Sequence, residues 1–147
     1  GLPFAPPVAD PVLEAYYYQQ LEKYGNQGFT HSPPADFSIL FIHDKPEQAW
    51  EELGQYFLNE VIEYSSWKTE GVNRPLEFSS DSVEALRAEK RYEIITPKEC
   101  MQRHRDRTDF FAAIHPLIGG MPLDKAWQSL HLYSEQVLAP LLAEETG

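Results

Sequence analysis

The sequence predicts an α/β domain of about four strand–helix units around a parallel sheet. Three observations predict it. Short apolar runs alternate along the chain with longer stretches whose apolar residues recur at helical spacing. One of the short runs, "FSILFI", is continuously apolar rather than alternating, as a strand buried on both faces is. Several helical stretches open with a cap residue followed by proline or by an acid three positions on. At 147 residues, the chain is the size of one domain (1–147), with an insertion at about 68–90.

The elements follow in order. "GLPFAPP" is a short apolar run, expected as the first strand. "ADPVLEAYYYQQLEKYG" predicts a helix with Asp10 as N-cap, Pro11 at the first position and Gly25 as terminator. Leu13, Tyr16, Tyr17 and Leu21 form its apolar face. After a Gly/Pro/Asn-rich loop, "FSILFI" is the second strand. "HDKPEQAWEELGQYFLNEVIEYSSW" then predicts a helix with Asp44 and Glu47 in capping-box spacing and a stripe of Trp50, Leu53, Phe57 and Val61. "TEGVNRPLEFSS" (69–80) is a polar loop or insertion, with the stretch around 69–82 a candidate lid, followed by a short helix capped by Asp81 and Glu84. "RYEII" is the third strand, and "TPKEC" starts a helix with Thr96 as cap and Pro97 first. "FFAAIH" is the last strand. A long amphipathic helix through Leu123, Ala126, Trp127, Leu130, Val137 and Leu138 closes the chain, kinked or ended by Pro140.

Composition narrows the function. The 23 acidic residues outnumber 12 basic ones and the net charge is −11, which disfavours nucleic acid and anionic membranes as partners. No apolar run is long enough to span a bilayer. With one cysteine, Cys100, no intrachain disulfide forms, so a reducing, cytoplasmic setting is expected.

Four such units form either a small doubly wound sheet or half of a (β/α)8 TIM-type barrel, which needs about 250 residues. The opening at a strand, without Met, favours the C-terminal half of a barrel. In both architectures ligands gather at the C-terminal ends of parallel strands. That rule selects His43, Thr96, His115, Gly119 and Gly120. The two histidines are candidate acids or bases, or residues that merely end a strand. The double glycine lets a ligand approach the backbone before a helix N-terminus, or simply turns the chain. His104, Asp106 and Asp109 read as a solvated face, not a metal set, and no metal is expected. Cys100 near a helix start has no evident histidine partner, and a buried structural thiol is the expectation. The dinucleotide, P-loop and nucleophile-elbow motifs are absent.

"ITPKEC", then "HPLIGGMPLDKAWQSLHLYSEQVLAPL", resembles the C-terminal end of luciferase-like monooxygenases, a family of flavin-dependent enzymes with relatives that use a deazaflavin. "FIHDKPEQAWEELGQYFLNEVIEYSSW" resembles their middle section, and "GLPFAPP" the strand before it. The likeness covers nearly the whole chain and the C-terminal half of a family member, and rests on the order of several weak motifs. It implies a barrel, often dimeric, in which reduced FMN, or a deazaflavin, serves oxygenation of a small organic substrate or hydride transfer. His115 and the Gly119–Gly120 turn match a family pattern at the last strand, which implies a ligand role for them; His43 as a second catalytic candidate and Thr96 as a further cofactor contact rest on the strand-end rule. The family's phosphate-binding segment precedes this region, so a missing N-terminal barrel half, or a second copy of the chain, is the expected partner. The alternatives are a non-catalytic α/β half-barrel interaction module and, more weakly, a small hydrolase using His115.

Overall fold

A computed structural model describes residues 2–6, 9–32, 37–67, 80–106 and 110–146 of the chain. Its centre is β1 (Ile39–Ile42), four residues that are all buried. Successive side chains of a strand point to opposite faces. Ile39 and Phe41 therefore enter one apolar cluster, and Leu40 and Ile42 the other. β1 pairs in parallel with β2 (Tyr92–Ile95) on one side and with β3 (Ala113–Ile114) on the other. The sheet order is β2-β1-β3.

Helices cover both faces. α2 (Pro46–Ser66) buries Trp50, Leu53, Phe57 and Val61 on the Ile39/Phe41 side, where Leu86 of α3 (Val83–Glu89) joins them. On the Leu40/Ile42 side lie Cys100 of α4 (Pro97–Asp106) and Val137 of the C-terminal helical stretch. The result is a mixed α/β fold in three layers. It departs from the expected barrel half. A barrel keeps its strands in chain order and all its helices on the outer face. Here β1 stands between β2 and β3: the first crossover runs from the centre to one edge, and the second runs back past β1 to the other. Right-handed crossovers then place their helices on opposite faces, the arrangement of a doubly wound sheet.

Several elements form as their local chemistry dictates. Asp10 caps α1 (Pro11–Lys23), accepting from the Val12 and Leu13 N–H groups. Its far end closes with Gly25 at φ +63° and the Asn26 N–H on the Leu21 carbonyl, a Schellman turn. Thr96 caps α4 through its hydroxyl on the Glu99 N–H at 3.1 Å. The long C-terminal helix is α5 (Leu123–Tyr133), a π turn (Ser134–Leu138) and α6 (Ala139–Thr146). Pro140 neither ends nor breaks it. Proline lacks the N–H for a carbonyl four residues back, and one wider π turn just before it absorbs the mismatch.

Other expectations fail for identifiable reasons. Among the described residues the first apolar run forms no sheet strand; Phe4 bridges to Thr30, and Pro3 and Pro6 remove ladder donors around it. α1 buries none of its residues. Leu13 and Tyr16 of its apolar face stay exposed, and Tyr17 keeps its hydroxyl as a donor to the Leu2 carbonyl. α2 and α3 each start one residue later than their acidic pairs suggest. Lys45 is the N-cap of α2 and Ser82 that of α3, where the Ser82 hydroxyl accepts from Ala85 N–H. Most of the stretch around 69–82 read as a candidate lid, residues 69–79, lies outside the described residues.

Gly119 passes close against α2. It has φ +53°, and a Cβ placed there would fall on the Tyr56 carbonyl oxygen of α2. Gly120, at φ +78°, has open space around the same position. Gly120→Ala should therefore cost only the left-handed backbone penalty, about 1–2 kcal/mol. Gly119→Ala should cost at least about 3 kcal/mol, since the helix backbone must also move. Urea unfolding of both variants checks the difference; equal losses would contradict the close approach.

Candidate functional site

The strand-end rule brings two of the expected residues to one level. Ile42 is paired with Ile95, so His43 and Thr96 follow side by side, and the His43 N–H donates to the Ile95 carbonyl at 3.0 Å. Both side chains hold helix starts. The Thr96 hydroxyl caps α4, and the Lys45 N–H donates to His43 Nδ1 at 3.0 Å at the entry to α2. The N-cap Lys45 makes no side-chain bond to the helix, so the imidazole braces the residue before α2 and does not replace the cap expected of Asp44.

His115 is not at that edge. β3 ends at Ile114, which pairs with Leu40, so His115 follows at the level of Phe41. The shortness of β3 has a local cause: the Ala113 and Ile114 N–H groups bond the Phe111 and Ala112 carbonyls two residues back. Beyond it, the Ile42 N–H is taken by the buried Ser129 hydroxyl of α5 at 2.8 Å, which satisfies a donor that would otherwise be orphaned.

What His115 meets instead is Glu60. This glutamate lies on the inward face of α2 between Phe57 and Val61, and its side chain is only 10% exposed. Its carboxylate accepts from the Tyr92 hydroxyl at 2.6 Å and from the Gly119 N–H at 3.0 Å. His115 Nε2 lies 3.8 Å from Oε2, with the imidazole 40% exposed. Burial, and then the adjoining Glu60 carboxylate, push the Tyr92 phenol far above its ordinary range, so Tyr92 remains a donor. One buried carboxylate therefore joins α2, β2 and the turn that carries His115 and both glycines.

Sequence reasoning missed Glu60 and Tyr92. The available signal was positional: an acid three residues after Phe57 falls on the stripe made by Trp50, Leu53, Phe57 and Val61. A charge there is buried and must find donors. Tyr92 opens a strand on the same face as Ile94, where its buried hydroxyl likewise needs a partner.

The other candidates resolve into structural roles. Cys100 is fully buried, and desolvation pushes its thiol up to about 11, away from nucleophilic character. Among the described residues no group of three or more potential ligands could hold a metal ion. Asp109, the last member of the acidic set around His104, lies outside them. Among the described residues, no helix is long and apolar enough to cross a membrane. Arg103 bridges Glu93 at 2.8 Å and Glu99 at 2.8 Å, and its hydrogen bonds hold the Glu93 carboxyl below its usual value.

No protein-family model, curated protein or solved structure matches the chain.

His104 generates a pH prediction. Its Nε2 is buried without a hydrogen-bond partner among the described residues, and its ring stands edge-on to Phe110. Burial lowers its pKa. The unfolded chain then binds the proton that the folded one refuses, so stability falls as pH drops through the unfolded imidazole value of about 6.5 and levels off below the folded one. His104→Phe should flatten this slope. Urea midpoints measured at about pH 7.5 and about pH 5.5 check it; an unchanged slope in the variant would remove the assignment.

Proposed function

We propose that this chain is part of a flavin-dependent oxidoreductase of the luciferase-like monooxygenase type, acting on a small organic substrate, and that His115 is its contribution to the flavin or substrate site. One observation carries the reading. In the "HPLIGG" stretch, where the resemblance is most concentrated, a half-exposed imidazole stands beside a buried, hydrogen-bonded carboxylate. A histidine oriented by an acid is how proteins present a proton donor or acceptor near neutral pH. Reduced FMN, or a deazaflavin in its place, supplies the electrons when bound.

The individual residues fit that group unequally. Gly119 does not fit a phosphate, because its N–H is committed to Glu60 and the neighbouring carboxylate repels an anion. Gly120 offers open backbone, and the Thr96 hydroxyl, though used as a cap acceptor, keeps a proton to donate. His43 keeps Nε2 for a ligand while Nδ1 holds the helix entry. The reading therefore places the flavin ring or the substrate, and not the phosphate, against this chain. It does not lean on a barrel half; completion of the site by a further segment or a second copy of the chain belongs to the same proposal.

A second reading is favoured by a separate observation. Leu2, Val12, Tyr16, Tyr24 and Phe29 around α1 are all more than half exposed, which suits an α/β interaction module that docks without catalysis.

The test supplies FMN and NADH to the protein containing this chain and follows O₂ consumption. Flavin-dependent consumption that falls about 10²-fold in His115→Ala supports the first reading. An inert wild-type protein that retains no FMN contradicts it, and concentration-dependent association of that inert protein would favour the module.

A further inference from the structure

We infer that Glu60 is a positioning residue for His115, fixing the imidazole proton on Nε2 so that Nδ1 is presented as the acceptor. The functional meaning of this assignment rests on the reading just given, whereas the geometry stands by itself. Glu60 Oε1 accepts from the Tyr92 hydroxyl and Oε2 from the Gly119 N–H. A carboxylate has about four acceptor sites and no donor, so capacity remains on the side that faces His115. The ring nitrogen nearest to it is Nε2, at 3.8 Å. A bare nitrogen lone pair turned toward a carboxylate oxygen is repelled, and an N–H is attracted. The favoured neutral tautomer therefore carries its proton on Nε2, and Nδ1 keeps its lone pair. Separations of this kind tighten when a ligand closes the site.

The same arrangement explains why a carboxylate occupies an apolar stripe. Tyr92 is fully buried, Gly119 is pinned against α2, and both donate to Glu60, so the carboxylate cannot swing away from the turn. The Tyr92 and Gly119 donors hold Glu60, and Glu60 orients the ring. This is the base–orienter relation that recurs wherever a histidine must present one particular nitrogen.

The assignment is tested on the chain labelled with ¹⁵N-histidine, without flavin, at about pH 8, above the ordinary imidazole range. Long-range ¹H–¹⁵N spectra report which ring nitrogen bears the proton. His115 should be predominantly Nε2–H in the wild type. In Glu60→Gln, whose amide can donate to Nε2, the population should move toward Nδ1–H. In Tyr92→Phe, which keeps the carboxylate, it should stay on Nε2. A purely structural role for Glu60 would disturb stability without inverting the tautomer. Should Glu60→Gln not fold, the wild type and Tyr92→Phe still decide: Nδ1–H as the major form in either overturns the inference. An identical distribution in wild type and a folded Glu60→Gln overturns it as well. FMN retention is measured on the same samples by fluorescence quenching, so loss of the flavin reading and loss of the Glu60 role are seen separately.

Discussion

A carboxylate removed from water must be given back its hydrogen bonds, and the Glu60 side chain imposes that constraint on three elements at once. Isolated burial of such a group costs several kcal/mol. Here the compensation comes from the Tyr92 hydroxyl of β2 and the Gly119 N–H of the turn after β3. The register of β2 against α2, the close pass of Gly119 over the Tyr56 carbonyl, and the position of His115 all follow from satisfying one group. Because Tyr92 and Glu60 are also part of the contact between sheet and helix, the site and the core cannot be varied independently.

The layers around this point obey a simple rule. β1 is buried on both faces, so it demands helices above and below. α2 and α3 bring the chain from β1 to β2 on one face, and α4 brings it back past β1 toward β3 on the other. β3 is cut to two residues by its own backward turns, and Ser129 of α5 supplies the bond to Ile42 that a longer strand would have made. The short strand and the inserted hydroxyl are two sides of one arrangement, and together they move His115 off the strand-end edge and onto Glu60.

Much of this was legible in the amino-acid order. A continuous apolar run marked β1, the β-rich "RYEII" marked β2, and the Asp10–Pro11 and Thr96–Pro97 pairs marked helix starts, because caps and buried strands are local properties. Sheet order was not legible. Alternating strands and helices are compatible with both a barrel and a doubly wound sheet, and the choice depends on which strand becomes central. The N-terminal tyrosines carried helical spacing without entering the core, since a phenol can satisfy the pattern while its hydroxyl stays outside. At the site, His115, Gly119 and Gly120 were legible as one turn. Glu60 lies 55 positions before His115, and only the folded chain brings the two together.

The Glu60 carboxylate holds the His115 turn through the Gly119 N–H. Native-state hydrogen exchange at the Gly119 amide tests it most directly. The account predicts protection approaching that of the β1 amides, although Gly119 lies in a short turn and not in a strand. Exchange at the rate of an unprotected loop amide would contradict it.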